Sequence, residues 1–517
     1  MKPRALPSLV LLSLAAAACG GSPPPPPAVA PVASASSPPP APPAPPPPSA
    51  TGIWLGTLHA GKDLRVQLRL DLAQTPPSCS LDSLDQHARG IPCTASVTGA
   101  TLAIDVPAVH GSLQANLSAD GNTLDGTWTQ GMPLPLVMTR QAAPIEPTPP
   151  PPMDAAMPPV DVAKLKDVLD KDLAAALAKG ELAPANDAGV TIGVVQHGVR
   201  RIFSYGTAKP DSLFEIGSIT KTFTGLLLAQ MVEQKKTRLD EPVRALLPAG
   251  TVAAPASGPE ITLLDLSAQR SGLPRMPDNF KPADEANPYA DYDKKALYAF
   301  IASHGVAMPA KPEFLYSNLG VGLLGQALAE RAGTTYEALL RKEITGPLGL
   351  RDTVIALGPA LRARFIAGHD GEHKPAHAWD LDAFAGAGGI RSTAADMLTY
   401  LEAQLHPDKL PRAVGATPEG KTLAAALAAS HVVRGEAMPG AHIALNWVRN
   451  DESGSYAHNG ATGGYSAMAI FNPDADFAVV VLSNTSPGDR EFADELGAHV
   501  AQRLTGKPAV PLGPAPQ

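Results

Sequence analysis

Proline is concentrated in two stretches of this 517-residue sequence, and these stretches divide the chain. Residues 1–50 hold 17 of the 56 prolines, and residues 141–160 hold another eight. Such segments favour extended polyproline II structure and bury no core. We therefore predict linkers at 20–50 and 141–160, a small folded region at 51–140, a larger one at 161–507 and a tail at 508–517.

The first 19 residues have the organisation of an export signal. Lys2 and Arg4 precede an apolar run that is shorter than the ~20 residues a membrane span needs. The string Leu-Ala-Ala-Ala-Ala-Cys-Gly-Gly, which contains Cys19, resembles the lipobox of bacterial lipoproteins. This resemblance implies lipidation of Cys19 and a membrane partner, with the protein on the periplasmic face of the envelope, at the outer membrane. The alternative is ordinary secretion with cleavage in the alanine run.

Charge and cysteine content exclude several classes. The 41 basic and 49 acidic residues give a net charge of −8 without a basic stripe, so nucleic acid is not an expected partner. Export permits a disulfide, which we predict between Cys79 and Cys93, the two remaining cysteines. His369, His373 and His377 have helical spacing, but Gly371 and Pro375 interrupt it, so we predict a loop. No metal or other cofactor is expected.

The two folded regions have different patterns. Residues 51–140 alternate polar and apolar positions between turn signals, for example at Leu64–Leu70, which predicts a small antiparallel sandwich or barrel. Residues 161–507 begin with a helical pattern and carry strand-like runs at both ends, with a long helical middle. This order predicts an α+β fold: one antiparallel sheet built from both chain ends, flanked by helices, with an inserted all-α region.

A first candidate for chemistry is the segment Phe-Glu-Ile-Gly-Ser-Ile-Thr-Lys at residues 214–221. An apolar helix-forming run follows, so Ser218 is expected near a helix N-terminus, with Lys221 three residues later on the same face. A buried lysine with a lowered pKa can accept the serine proton, and helix-start amides can stabilise an oxyanion. By itself, a Ser-x-x-Lys spacing is more often an ordinary surface feature.

A second candidate is Tyr316-Ser317-Asn318, immediately before another apolar helix. In an extended loop, Tyr316 and Asn318 point the same way. The tyrosine could act as a base and the asparagine could hold a substrate carbonyl. An ordinary helix N-cap is the alternative.

A third candidate is the glycine-rich segment from His458 to Tyr465. Its small residues would let a substrate backbone lie against a strand edge. His458 can donate a hydrogen bond, and its usual pKa lies near neutral pH. If it acts as a cation, turnover should fall as the pH rises through about 6.5. A glycine-rich hairpin with an incidental histidine is the alternative.

Together, Ser218-x-x-Lys221, Tyr316-x-Asn318 and His458-x-Gly460 resemble the three motifs of the serine β-lactamase and penicillin-binding-protein superfamily. The order and spacing are similar to its class C branch, which also contains D,D-carboxypeptidases, D-aminopeptidases and esterases. The resemblance covers about 161–507 and implies a β-lactamase/transpeptidase-like fold.

The resemblance also implies roles for individual residues. Ser218 would be the acylated nucleophile, Lys221 its activator and Tyr316 the proton shuttle. Asn318, His458, Gly460 and Ala461 would bind the substrate, with the backbone amides of Ser218 and Ala461 as the oxyanion hole. The list of substrates comprises β-lactams, D-amino acid peptides and esters.

Two positions depart from the superfamily pattern. His458 stands where class C β-lactamases usually carry lysine, which weakens a pure β-lactamase assignment, and Gln269-Arg270 stands where relatives often have His-Thr. The sequence leaves two alternatives to an enzyme. The chain could be a non-catalytic penicillin-binding or envelope-scaffold protein, or the 51–140 region could be a ligand-binding module.

Overall fold

The computed structural model describes residues 49–513 except 60–62, 87, 110, 131, 147–151 and 489. The predicted signal segment, Cys19 and nearly all of the first proline-rich linker lie outside the described residues. Within the described ranges, no helix combines the length and the apolar character that a membrane span requires.

The region after the first linker consists of nine strands, with one short 3-10 turn at Pro107–Val109. Its strands are β1 (Gly52–His59), β2 (Asp63–Asp71), β3 (Ser78–Ser83), β4 (Ala88–Pro92), β5 (Thr94–Thr98), β6 (Thr101–Val106), β7 (Gly111–Leu117), β8 (Thr123–Gln130) and β9 (Met132–Gln141). They form one antiparallel sheet in the order β4-β3-β2-β1-β9-β8-β7-β6-β5. Its core includes the buried indoles of Trp54 and Trp128. Cys79 and Cys93 form a disulfide with their Cα atoms 5.1 Å apart.

The larger region contains the remaining strands and all the helices. Its strands are β10 (Gly189–Gln196), β11 (Val199–Gly206), β12 (Phe214–Glu215), β13 (Gly368–His369), β14 (Pro375–Ala376), β15 (Arg391–Ser392), β16 (Gly435–Met438), β17 (Ala441–Ile443), β18 (Val448–Asn450), β19 (Tyr456–Ala461), β20 (Ser466–Asn472) and β21 (Phe477–Ser483). Its helices are α1 (Leu165–Asp172), α2 (Ala174–Lys179), α3 (Thr220–Glu233), α4 (Leu263–Ser267), α5 (Lys294–His304), α6 (Asn318–Ala332), α7 (Tyr336–Leu340), α8 (Gly346–Leu348), α9 (Pro359–Arg362), α10 (Ala385–Gly388), α11 (Ala394–Leu405), α12 (Arg412–Gly415), α13 (Gly420–Ser430) and α14 (Phe492–Thr505).

An antiparallel sheet joins the two ends of this region. Its order is β11-β10-β21-β20-β19-β18-β17-β16, so β10, from the start of the region, pairs with β21, from its end. The predicted arrangement, a sheet from both chain ends with a helical insertion, is confirmed. The sequence analysis did not predict β16, β17 and β18, which extend the sheet.

Helices cover both faces of this sheet, which explains why its central strands are apolar without alternation. Val479 and Val481 of β21 belong to the core that includes α1 and α14. Val480 and Leu482 project into the second core, which includes α3, α6 and α11. Because successive side chains of a strand point to opposite faces, a strand covered on both faces needs an apolar residue at every position.

The packed region extends beyond the predicted limits of 161 and 507. The backbone N–H of Asp154 donates to the carbonyl of Ala509 at 2.7 Å, and the reverse bond is 3.1 Å long. Arg503 of α14 donates to the carboxylates of both Asp154 and Asp172. Part of the second proline-rich stretch therefore lies against the end of the chain.

Candidate active site

Ser218 and Lys221 meet at the start of the buried helix α3. Residues Gly217–Ile219 form a single 3-10 turn, and α3 continues from Thr220. Nζ of Lys221 lies 2.8 Å from Oγ of Ser218 and donates to the carbonyl oxygen of Ala387 at 2.6 Å. The lysine side chain is fully buried. The Ser-x-x-Lys segment is thus part of an internal site and not a surface feature.

Two glycines allow this turn to lie directly against strand β19. Gly217 has a positive φ of 49°, and a Cβ there would lie 2.6 Å from the backbone nitrogen of Ala461. A Cβ at Gly460 would lie 2.0 Å from the carbonyl oxygen of Ile216. Side chains at either position would separate the turn from the strand. The backbone segments that carry Ser218 and Ala461 therefore lie in close contact.

Tyr316 and Asn318 lie at the N-terminus of α6. Ser317 between them is the N-cap, and its hydroxyl accepts a hydrogen bond from the N–H of Gly320 at 2.8 Å. The capping interpretation is therefore correct for Ser317, and it holds the other two residues in place. Ser218 and Tyr316 line the same cavity, and Nζ of Lys221 lies 5.0 Å from the centroid of the Tyr316 ring.

Burial controls the protonation of this group. Desolvation holds the pKa of Lys221 well below its usual value, and the positive charge of Arg275 lowers it further. Desolvation raises the pKa of Tyr316, although the side chain of Ser218 and the charge of Arg275 partly oppose this. Both shifts favour the uncharged forms, the amine of Lys221 and the phenol of Tyr316. A neutral amine beside the hydroxyl is the state that can accept the Ser218 proton.

His458 is buried behind the site on β19. Its ring centroid lies 6.3 Å from that of Tyr316, and burial lowers its pKa to about 4. Its Nδ1 lies 2.6 Å from the carbonyl oxygen of Asn459. Since a neutral imidazole is expected at pH 7, the structure argues against the hypothesis that His458 acts as a cation near neutral pH.

The side chain of Asn459, the middle residue of the third motif, binds a residue of helix α14. Its side-chain amide donates to Oδ2 of Asp494 in α14 at 2.7 Å. Burial raises the pKa of Asp494 to about 7, and the nearby Glu491 and Glu495 add to this effect. The sequence analysis did not identify Asp494, because nothing in its local pattern distinguishes it from other acidic residues of a helix.

A cavity of about 600 Å³ opens at Ser218. Of the predicted residues, Ser218, Tyr316, Asn318, Gly460 and Ala461 line it, whereas Lys221 and His458 lie behind its wall. Aromatic and apolar side chains complete the cavity, and they are Tyr289, Trp379, Leu381 and Phe384. The wall beside Ser218 therefore combines polar groups with an aromatic and apolar surface, as small-molecule sites do.

The sequence of the larger region matches the beta-lactamase family over residues 176–502. The chain belongs to this family. A beta-lactamase of Pseudomonas fluorescens is 27% identical over 329 residues, which cover 57% of this chain and 88% of that protein. The D-alanyl-D-alanine-carboxypeptidase/endopeptidase AmpH of Escherichia coli strain K12 is 27% identical over 336 residues, covering 61% and 85%. Penicillin-binding protein 4 of Amycolatopsis lactamdurans is 28% identical over 328 residues, covering 59% and 82%.

The solved structures agree on the fold. A class C beta-lactamase from Rhodobacter sphaeroides superposes with a TM-score of 0.52 at 24% identity, covering 66% of this chain and 97% of that one. The chain therefore has a class C beta-lactamase-like fold. It is a member of a family of serine hydrolases of the beta-lactamase and penicillin-binding-protein type, which agrees with the resemblance seen in the three motifs.

A buried ion pair supports the cavity of this family member. The guanidinium of Arg391 lies 3.1 Å from the carboxylate of Glu215, close to the nucleophile in the chain. The same carboxylate accepts from the N–H of Trp379, and Arg391 donates to the Trp379 carbonyl at 2.7 Å. The pair thus holds the backbone of a residue that lines the cavity. The motif search missed both residues, because their partners are remote in sequence.

Gln269 and Arg275 also belong to the site and were not predicted. Gln269 departs from the superfamily pattern, and it binds the backbone on both sides of Tyr316. Arg275 lines the cavity with its guanidinium carbon 5.1 Å from the centroid of the Tyr316 ring. The string Ser-Gly-Leu-Pro at 271–274, which precedes Arg275, was the available signal for this wall.

His369, His373 and His377 lie in the short β13–β14 hairpin and in the residues that flank it. This segment is not helical. Among the described residues, no group of three or more His, Cys, Asp or Glu side chains could hold a metal ion.

Proposed function

We propose that this chain hydrolyses β-lactam, D-alanyl peptide or ester substrates through an acyl-enzyme on Ser218. The observation that supports it most is the 2.8 Å separation between the Ser218 hydroxyl and the buried amine of Lys221. A charged lysine would only anchor the hydroxyl. An amine whose pKa is held well below normal can remove its proton.

The proposed acylation uses the groups around the cavity. Oγ of Ser218 attacks the substrate carbonyl while its proton moves to Nζ of Lys221. The negative charge that develops on the carbonyl oxygen is stabilised by the backbone amides of Ser218 and Ala461. The phenol of Tyr316 passes a proton to the leaving nitrogen or oxygen, and Asn318 holds the acyl portion.

Deacylation is the reverse exchange with water in place of the leaving group. Tyr316, left as a phenolate once it has given its proton to the leaving group, accepts a proton from that water, and the ammonium of Lys221 returns its proton to Oγ of Ser218. The rate of this step separates a beta-lactamase from a penicillin-binding protein, and a tenfold difference needs only about 1.4 kcal/mol of barrier. We therefore leave the substrate class to experiment.

The test is intact-mass spectrometry on purified residues 20–517, beside Ser218→Ala. The chain is incubated with a penicillin, a peptide ending in D-Ala-D-Ala and a short-chain p-nitrophenyl ester. A Ser218-dependent adduct that persists on the penicillin indicates slow deacylation, as in a penicillin-binding protein. Ser218-dependent loss of one substrate without a lasting adduct indicates turnover and identifies that substrate.

Absence of any adduct and of any turnover would refute the proposal. It would favour the non-catalytic scaffold alternative. Deletion of 51–140 followed by a ligand-retention assay would test the remaining alternative, in which the β-region binds the ligand.

We also propose that the protein is exported and anchored by a lipid on Cys19. The support is the signal-like N-terminus and the lipobox resemblance around that cysteine.

A further inference from the structure

The cavity at Ser218 carries one formal charge on its wall. Among the described residues that line it, Arg275 alone has an ionisable side chain of the Asp, Glu, Lys, Arg or His type. Its side chain is exposed rather than buried. A single cation at the mouth of a partly apolar cavity raises the local concentration of anions and disfavours cationic ligands.

This guanidinium is not committed to a structural partner. Within the described ranges, its nitrogens form no hydrogen bond and no ion pair with the chain. Its recorded contact is with the ring of Tyr316, at 5.1 Å from guanidinium carbon to centroid. Such a contact uses the face of the guanidinium and leaves its in-plane N–H donors available. The buried Arg391, by contrast, is paired with Glu215.

The other basic groups near the cavity are poorly suited to binding an anion. Lys221 is buried with a depressed pKa, and its amine is already bonded to Ala387. His458, which replaces the usual lysine of the third motif, lies behind the wall with a pKa of about 4. The third motif of this chain therefore offers no cation to a substrate carboxylate.

Arg275 lies on the side of the site that contains Asn318, the residue expected to orient the substrate. The next residue, Met276, has its sulfur 3.8 Å from the amide nitrogen of Asn318. Ser317 fixes the same segment, because its hydroxyl donates to the carbonyl of Pro274 at 2.7 Å. The backbone of Arg275 accepts from the N–H of Leu319 at 3.2 Å. The guanidinium is thus carried by a segment that is tied to the motif containing Tyr316 and Asn318.

We propose that Arg275 binds a carboxylate of the substrate and makes this enzyme selective for anionic substrates over their neutral analogues. The inference rests on the proposed function of Ser218. The shared chemistry is a free carboxylate, which can belong either to the acyl portion or to the leaving group. Arginine suits either case, because its planar fork matches a carboxylate in a two-bond arrangement.

The experiment compares two pairs of substrates that differ only in charge. The first pair is the p-nitrophenyl ester of succinic acid and that of succinamic acid, where the charge is on the acyl portion. The second pair is the hippuryl thioester of thioglycolic acid and that of thioglycolamide, where the charge is on the leaving group. The kcat/KM ratio within each pair is measured for wild type, Arg275→Gln, Arg275→Lys and Ser218→Ala.

We expect Arg275→Gln to lower kcat/KM on the carboxylate member of one pair by about 10- to 100-fold, mainly through KM. The neutral member should change less, because it loses only the effect of the Arg275 charge on the pKa of Lys221, which both members of a pair share. Arg275→Lys should restore part of the preference as a point charge. Raising the salt concentration should weaken the preference in wild type but not in Arg275→Gln.

The pair that loses its preference identifies the part of the substrate that Arg275 binds. Equal losses on charged and neutral members, or unchanged ratios in both pairs, would overturn the inference while leaving the hydrolase proposal intact. Absence of Ser218-dependent turnover on all four substrates would instead overturn the hydrolase proposal and this inference with it. Circular dichroism and thermal melting of each variant exclude a folding defect as the cause.

Discussion

The side-chain oxygen of Gln269 accepts a hydrogen bond from the backbone N–H of Ser317 at 2.7 Å. Its backbone oxygen accepts from the N–H of Leu315 at 2.6 Å, so one residue fixes the chain on both sides of Tyr316. Gln269 is buried with a positive φ of 55°, and its amide nitrogen donates to Asn446. This gives a physical role to a residue that departs from the superfamily pattern.

We predict that Gln269→Ala lowers kcat by about 10- to 100-fold, because it frees the segment that carries Tyr316. The measurement is steady-state kinetics on the substrate that the mass spectrometry identifies. Gln269→Glu is the matched variant, since it keeps an acceptor for the Ser317 N–H, and it should retain more activity than Gln269→Ala. A lower melting temperature with unchanged kcat in Gln269→Ala would show that the residue is structural only.

Lys221→Arg should lower kcat/KM by about 10²- to 10⁴-fold, because arginine stays protonated and cannot accept the Ser218 proton. Since the pKa of Lys221 is depressed, the wild type needs no alkaline pH and should lose activity only as the pH falls through that lowered value. The pH–rate profiles of both proteins from pH 5 to 10 provide the check. Recovery of the arginine variant at high pH would point to a different base.

The low pKa of His458 predicts that kcat/KM shows no titration of this residue near neutral pH. Because burial lowers it to about 4, the imidazole stays neutral from about pH 5.5 to 8, and no fall in kcat/KM through pH 6.5 should depend on this residue. Wild type and His458→Gln are compared over that range. If the wild type alone showed a limb near 6.5, the imidazole would be charged in the working enzyme and our assignment would be wrong.

Asp494 should make stability fall as the pH rises. Its folded-state pKa is raised to about 7, so between pH 4 and 7 the folded state binds more protons than the unfolded state. The free energy of unfolding should decrease over this interval by at most about 4 kcal/mol and then level off.

Asp494→Asn should remove this decrease and be more stable than wild type at pH 8. Urea unfolding at pH 5 and pH 8 is the measurement. Asp474→Asn, at an exposed position, is the control and should leave the slope unchanged. If the free energy of unfolding of Asp494→Asn fell with pH as steeply as that of wild type, another group would be responsible.

Cys19→Ser should move the protein from the membrane fraction to the soluble periplasmic fraction, since lipidation needs the thiol. Cell fractionation with immunodetection follows the change. A variant that stays in the membrane fraction would contradict the lipobox interpretation.

The sequence was sufficient for the parts of this protein that depend on local pattern. The strands β10, β11, β20 and β21 were recognisable because they are apolar runs of strand length. The three motifs were recognisable by their order along the chain. The structure adds that the Lys221 amine meets the Ser218 hydroxyl and that the turn carrying Ser218 lies against β19.

Features that depend on long-range packing could not be predicted in the same way. The short strands β16, β17 and β18 hold only three or four residues each, and no run of alternation identifies them. The neutrality of His458 follows from burial, which its neighbours in sequence do not indicate. Gln269 and Asp494 act through partners about 50 and 35 residues away, so no motif contains both members of either contact.

The pairing of β10 with β21 has a consequence for biosynthesis. Val190 and Ser483 are opposite each other in the sheet, yet almost 300 residues separate them in the chain. At a typical synthesis rate of about 5–20 residues per second, roughly 15–60 seconds pass between translation of the two strands. Strand β10 therefore lacks one of its two partners while the helical insertion is made, and the finished sheet can form only near the end of translation. Chaperones thus have an interval in which to bind the nascent chain, and folding of this region should be slow because its decisive contacts are non-local.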